Sequence, residues 1–201
     1  MPQQKTKVNN DKRARHFSFI AYPENIKKAE LIDILSRECK QFAISPLHDS
    51  DMNADETQKK PHWHIYLYFD GKKNLNQVNE IAKKCKGVFS IVVNSRMALL
   101  QYFCHINNPE KAQYDISEIY AVGLNIEKEI YSPMEYNKRL RAEIHTLILN
   151  QNIVEYSALL DFLFSNGDMN EHYDYACNHT ILFRAYLQSR RECVKVKSNN
   201  K

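Results

Sequence analysis

Glycine is scarce, at 4 residues in 201. A glycine-rich phosphate loop has nothing to be built from, and neither a Walker-type nor a dinucleotide-binding fingerprint occurs. A nucleotide-driven motor is therefore not expected. No apolar stretch is long enough to span a membrane. The first residues are polar and basic with no apolar run behind them, so no signal peptide is expected either. The 5 cysteines (Cys39, Cys85, Cys104, Cys177, Cys193) are odd in number and scattered. None forms a Cys-x-x-Cys pair, which argues against a zinc ribbon or a dithiol redox site. A reducing cytoplasm fits this usage best. Net charge is modest, +4 with a pI near 8.7, which permits nucleic-acid binding without requiring it. The chain is 43% hydrophobic and 26% charged, the balance of a globular protein with one large domain or two small ones.

What is present is concentrated in Pro61-His62-Trp63-His64-Ile65-Tyr66-Leu67-Tyr68-Phe69. The run alternates without a break, so a β-strand places His62, His64, Tyr66 and Tyr68 on one face. Trp63, Ile65, Leu67 and Phe69 fall on the other, a core face. Two imidazoles at i and i+2 on a rigid strand form a metal-ligand pair. The same short pattern also suits a half-exposed strand with two surface histidines.

The flanking segments interleave β and α signals. Residues 1 to about 15 read as a flexible basic arm carrying Lys5, Lys7, Lys12, Arg13 and Arg15. His16 to Tyr22 alternates as a strand. A helix is expected from Pro23-Glu24 to about Cys39, and a short strand from Gln41 to Leu47. His48 to Lys60 is polar and turn-rich. After the histidine strand, Gly71 begins a turn. Leu75, Val78, Ile81 and Ala82 mark a helix that stops at Lys83-Lys84-Cys85-Lys86-Gly87. Val88 to Val93 reads as a strand, Met97 to Ile106 as a helix and Ile116 to Val122 as a fifth strand. The order β-α-β-β-α-β is a ferredoxin-like split pattern with an added helix and strand. It predicts an α+β fold: an antiparallel sheet with helices on one face and the other free for a site. Beyond Ile126 only helical signals remain. They run from Pro133 to Asn150, from Val154 to Phe164, and from about His172 to Arg190. The organisation expected is residues 1–132 and a small all-α domain, 133–201.

Chemistry gathers around the histidine strand. His48 ends the second strand, with Asp49 and Asp51 just after it. A histidine with a carboxylate at i+3 can close a shell begun by His62 and His64, giving three imidazoles and one carboxylate. This is neither a thiolate zinc site nor an all-oxygen calcium site. The sequence His48-Asp-x-Asp also suits a capped turn. Farther on, the helix carries Leu99, Phe103 and Ile106 as its buried stripe. Tyr102 falls one position off that stripe, with Gln101 and His105 on the polar side near it. A tyrosine hydroxyl ordinarily titrates near pH 10 and is a weak nucleophile unless activated. A neighbouring divalent metal would polarise a phosphodiester for it. Taken alone, Tyr102 is one of 12 tyrosines and reads as an amphipathic core-edge residue.

Together these motifs resemble the HUH endonucleases and, more closely, the RepB-type replication initiators of rolling-circle plasmids of Gram-positive bacteria. The resemblance rests on Phe17-Ser-Phe-Ile-Ala-Tyr-Pro-Glu24, Ala43-Ile-Ser-Pro-Leu-His-Asp-Ser-Asp51, Lys60-Pro-His-Trp-His-Ile-Tyr66, Tyr102-Phe-Cys-His105 and Tyr114-Asp-x-x-Glu118. It covers residues 16 to about 125 and is weaker in the helical tail. The family carries threonine where Cys104 stands here. The resemblance implies that His48, Asp51, His62 and His64 bind a divalent metal, Mn2+ or Mg2+. Asp49 is a second carboxylate in reach. Tyr102 matches the nucleophile of the single-tyrosine class, and Tyr114 and His105 are neighbours of the active site. The implied reaction is nicking of one strand at the plasmid's double-strand origin, leaving a 5′-phosphotyrosyl link and a free 3′-hydroxyl primer. Origin DNA, as duplex and extruded hairpin, and host replication proteins are the implied partners. The implied role of 133–201 is assembly into a homo-oligomer, a hexameric ring, although its apolar stripes also suit a simple helical bundle. The alternatives are an HUH mobilisation relaxase or transposase, a non-enzymatic DNA-binding repressor, and an unrelated metal hydrolase.

Overall fold

The computed structural model describes residues 13–53 and 55–199, with side chains described to residue 193. Lys5, Lys7 and Lys12 of the expected basic arm lie outside the described residues. The chain divides into two compact units, Met1–Ile130 and Tyr131–Lys201.

The first unit runs β1 (Ala14–Ala21), α1 (Lys28–Glu38), β2 (Gln41–Ile44), β3 (Trp63–Lys73), α2 (Leu75–Lys84), β4 (Val88–Val92), α3 (Arg96–Phe103), β5 (Tyr120–Val122) and α4 (Ile126–Ile130). The sheet order is β4-β1-β3-β2-β5, and every pair is antiparallel. The first four strands keep the ferredoxin-like order, and β5 extends the sheet beside β2. This is the α+β architecture expected from the element order.

Alternation decides what each face does. Phe17, Phe19 and Ala21 of β1, Phe42 and Ile44 of β2, and Trp63, Ile65, Leu67 and Phe69 of β3 point into one core. Leu31 and Leu35 of α1 and Leu75, Val78, Ile81 and Ala82 of α2 close it from the other side. The helix α2 starts on a reciprocal cap: Gln77 N–H donates to Asn74 Oδ1 at 3.0 Å, and Asn74 N–H donates to Gln77 Oε1 at 3.1 Å. It ends with Gly87 N–H on the Ala82 carbonyl at 2.7 Å. The left-handed residue of that stop is Lys86 (φ 50°), not the glycine. Gly87 is needed for space, since a Cβ there would lie 2.5 Å from the Phe19 ring.

Several expected elements are corrected. The first helix begins at Lys28, because residues 23–26 form a turn on the Tyr22 carbonyl. The histidine strand continues through Gly71 to Lys73. The expected fifth strand splits into a 3-10 turn, Ile116–Glu118, and β5. The second sheet face is not free: α3 lies against β3 there, and Tyr66 is fully buried. Tyr66 shares a hydrogen bond with His16 Nδ1 at 2.7 Å, and burial pushes its hydroxyl up to about 12.

The second unit holds α5 (Pro133–Asn150), α6 (Tyr156–Ser165), α7 (Asn170–Asn178) and α8 (Thr180–Asn199). Ser132 and Glu135 form a capping box on α5, with proline at the first turn. Leu140, Ile144, Ile148, Leu159, Leu163, Tyr175, Phe183 and Leu187 make a separate apolar core. The single helix expected from His172 to Arg190 is two helices. His179 leaves helical geometry (φ −118°, ψ 34°), and its ring stacks on Tyr175 with centroids 4.0 Å apart. Among the described residues, no helix is long and apolar enough to cross a membrane.

Candidate active site

The site starts from a strand irregularity. In the regular ladder Ile44 faces Ile65. Ser45 N–H then donates to the His64 carbonyl at 2.9 Å, and Ser45 Oγ accepts from His64 N–H at 3.0 Å. The next pairing is His48 with His62, through N–H···O bonds of 2.9 and 3.2 Å. Two residues, Pro46 and Leu47, therefore oppose Trp63 alone. An extra residue of this kind is a β-bulge, and it reverses the side-chain alternation beyond it. Leu47 turns into the core, and His48 turns onto the face of His62 and His64. The strand expected over Gln41 to Leu47 thus stops at Ile44.

Three imidazoles are then fixed by backbone carbonyls. His62 Nδ1 lies 2.8 Å from the Lys60 carbonyl, His48 Nε2 lies 2.8 Å from the Phe103 carbonyl, and His105 Nδ1 lies 2.7 Å from the Ala112 carbonyl. A carbonyl accepts only, so the facing nitrogen carries the hydrogen, and in the neutral ring the other nitrogen keeps its lone pair. His48 Nδ1 and His105 Nε2 are buried with no hydrogen-bond partner. His62 Nε2 and His64 Nε2 stand 3.2 Å apart. Burial, reinforced by His48, pushes His64 down to about 2. Burial also lowers His48 from the usual histidine range. Neutral imidazoles with oriented lone pairs are what a cation requires.

Asp51 and Asp49 part company. Asp49 is exposed, whereas Asp51 is buried in a small hairpin closed by Met52 and Gln58. Asp51 Oδ2 lies 3.4 Å from His48 Nδ1. Its Oδ1 accepts from the Tyr114 hydroxyl at 3.1 Å. The Tyr114 ring stacks flat on His48, with centroids 4.4 Å apart and planes 8° apart. Desolvation, helped by Asp51, pushes Tyr114 up to about 12, so it remains a donor to that carboxylate.

The donor set suits a divalent cation. One ligand atom each from His48, His62 and His64 fall within 4.8 Å of one another, and so do those of His48, Asp51 and His105. Two nitrogens bound to one ion at about 2.1 Å stand about 3.0–3.4 Å apart, which matches the His62–His64 spacing. The orphaned Nδ1 of His48 beside a carboxylate is the second sign of a fit.

Tyr102 overlooks this group. Its ring lies 5.3 Å from that of His64 and 5.0 Å from that of His105. The helix stripe is Leu100 and Phe103, not Leu99, Phe103 and Ile106. The helix ends at Phe103, and His105 takes a left-handed conformation (φ 56°), with Ile106 N–H bonded to the Gln101 carbonyl. Helical spacing therefore fails past Phe103. His105 is driven inward to complete burial, not left on a polar side, and Ile106 is exposed. A cavity of about 340 Å3 opens beside the nucleophile candidate, lined by Tyr22, Lys59, Lys60, His62, His64 and Tyr102. Tyr22 and Lys60 sit in two of the resembling segments without a role assigned there, and Lys59 has no chemical signature in the sequence. Neither has Lys111, whose Nζ lies 3.5 Å from the Tyr102 hydroxyl.

Residues 9–127 match the family described as plasmid replication protein, origin binding domain. The chain belongs to this family. It is 27% identical over 188 residues to a replication protein of Staphylococcus aureus, covering 92% of this chain and 94% of that one. It is 37% identical over 112 residues to the replication protein RepB of Lactiplantibacillus plantarum, covering 56% of this chain and 50% of that one. A RepB of Streptococcus agalactiae is 26% identical over 178 residues, 78% of this chain and 79% of that one. The chain is a RepB-type plasmid replication initiator with an origin-binding domain. That domain holds every residue of the cluster, His48, Asp51, His62, His64, Tyr102, His105 and Tyr114.

Proposed function

We propose that this initiator nicks one strand of its plasmid's double-strand origin by metal-assisted tyrosine transesterification, in the manner of the HUH endonucleases. The observation carrying this reading is the Tyr102 ring packed edge-on against His64 and His105, beside imidazoles whose free nitrogens are oriented by backbone carbonyls. His48, Asp51, His62 and His64 would hold the cation, Mn2+ or Mg2+, and Tyr114 would hold Asp51 and His48 in place. The bound cation supplies polarisation of the scissile phosphodiester. Tyr102 Oη attacks phosphorus, and the bond to the 3′-oxygen breaks. The proton given up by the tyrosine is matched by the one the 3′-oxygen acquires. The products are a 5′-phosphotyrosyl link and a 3′-hydroxyl primer. The adduct conserves the bond energy for the strand transfer that closes the circle, so no nucleotide hydrolysis is required. Host replication proteins would extend the primer in the cytoplasm.

The test is direct. Single-stranded oligonucleotides tiled across the plasmid, incubated with protein and Mn2+, should yield one cleavage position and a covalent protein–oligonucleotide adduct. A set that gives neither would remove the reading. Asp51→Ala should lower cation affinity at least about 10-fold, measured by calorimetry, because the buried carboxylate adjoins the orphaned His48 nitrogen. Asp49→Ala should leave it near wild type. The reverse order would reassign the ligand.

The helical unit is proposed to assemble the initiator into a ring. Met134, Phe164, Ile181 and Leu182 leave apolar surface on it. Residues 1–132 should then run as a monomer by light scattering and still nick single strands, while the full chain runs as a multimer. The truncation should bind the supercoiled origin more weakly, since linked sites gain effective concentration. A full-length monomer would refute the ring.

A further inference from the structure

We infer that Lys111 is a catalytic residue of the nicking reaction, an ammonium held against the tyrosine oxygen to stabilise its negative charge. The inference rests on the proposed nicking and adds to it a group that no motif supplies.

Lys111 Nζ lies 3.5 Å from the Tyr102 hydroxyl oxygen and 4.7 Å from the centre of its ring. One cation thus touches both the face of the phenol and the atom that reacts. Among the described residues it forms no ion pair with a carboxylate. Its charge also acts on the exposed Glu110 carboxylate next to it in the chain, but the hydrogen-bond contact of the ammonium is the tyrosine oxygen.

The backbone aims the side chain. Lys111 N–H donates to the Asn108 carbonyl at 3.0 Å, and Asn108 N–H donates to the His105 carbonyl at 2.8 Å. The Gln113 amide donates to the carbonyls of Asn108 and Lys111, both at 3.0 Å. On the far side, the Ala112 carbonyl receives His105 Nδ1 at 2.7 Å. The loop is fixed on both sides of Lys111, and one of its anchors is a buried histidine of the site. A long flexible side chain on so restrained a backbone is an arrangement for placing charge.

The chemistry follows from the position. As Tyr102 loses its proton, negative charge grows on Oη before it reaches phosphorus. An ammonium already in place stabilises that charge without reorganising. In the closing strand transfer the same oxygen departs as a phenolate, so the cation serves both directions equally. Lysine needs no proton exchange for this role, because it acts as a fixed charge. Removing one preset donor to a developing oxyanion costs about 100- to 1,000-fold in rate. Lys111 is half-buried, so a loss of about 10- to 100-fold is expected.

The experiment measures single-turnover adduct formation by the full chain with its origin oligonucleotide and Mn2+. Lys111→Ala should lower the maximal rate about 10- to 100-fold while the DNA half-saturation stays within about 3-fold. The joining reaction should fall by the same factor as nicking. Lys111→Arg should recover most of the rate. Added ethylammonium should partly restore Lys111→Ala and have no effect on Tyr102→Phe; a loss due to a loosened loop would not respond to a small amine. Wild-type rates for Lys111→Ala, or a loss confined to DNA half-saturation, would overturn the inference and leave the nicking reading intact. Absence of adduct from the wild-type chain would instead overturn both.

Discussion

Tyr102→Phe is expected to leave no covalent adduct and no nicked product. The variant keeps the ring, which packs edge-on against His64 and His105. It removes one oxygen, and that oxygen's hydrogen-bond contact is with Lys111 at 3.5 Å. No buried donor loses its partner, so the stability change should stay within about 0.5 kcal/mol, as for ordinary surface substitutions. DNA affinity should be near wild type for the same reason. Loss of reaction without loss of fold or binding is the signature of a missing nucleophile. Denaturing gels of labelled oligonucleotide read the adduct, and thermal melts read the fold. Undiminished adduct in this variant would assign the link to another residue. The half-buried Tyr114 and the buried Tyr66, both pushed up to about 12, would be poor substitutes.

The second large effect is expected at the histidine pair. His62→Ala or His64→Ala should abolish cation-dependent cleavage, and EDTA should do the same to the wild-type chain. Mn2+ or Mg2+ should restore the chelated wild type and neither variant. A second readout is independent of catalysis. A ligand bound only by the native state stabilises it by about 2.7 kcal/mol at one hundred times its Kd. The wild-type melting transition should therefore rise by several degrees in saturating Mn2+. The variants should show little shift, because each lacks one of two nitrogens that stand 3.2 Å apart. Cleavage that persists after thorough chelation would exclude the metal mechanism. A thermal shift retained by both variants would move the cation to the neighbouring group of His48, Asp51 and His105.

The strand of alternating residues from His62 to Phe69 was readable because a two-residue period admits one sorting of side chains. Trp63, Ile65, Leu67 and Phe69 enter the core, and the histidines and tyrosines take the other face. The order of elements likewise led to the ferredoxin-like sheet. Periodicity reads only regular geometry, and the site is assembled where regularity stops. Alternation from Ile44 would put His48 into the core; the bulge at Pro46-Leu47 turns it over. Helical spacing would leave His105 on a polar face; the left-handed turn after Phe103 buries it. The same limit joined α7 and α8 into one helix, because nothing local in the sequence marks the break at His179.

Residue type and short-range pattern determined the chemistry available to this protein: paired imidazoles on a strand, a carboxylate three residues beyond a third histidine, and a tyrosine on a later helix. Local order carries that information, since neighbours on one element keep fixed spacings. Tertiary structure alone decided which carboxylate is enclosed, which nitrogen of each ring is left free, and that Lys111 meets Tyr102. Each of these depends on contacts outside any regular spacing, some between distant segments and some within a short turn or loop, made through a bulge, a helix end and a loop. Such contacts leave no period in the sequence, so they become visible only when the fold brings the segments together.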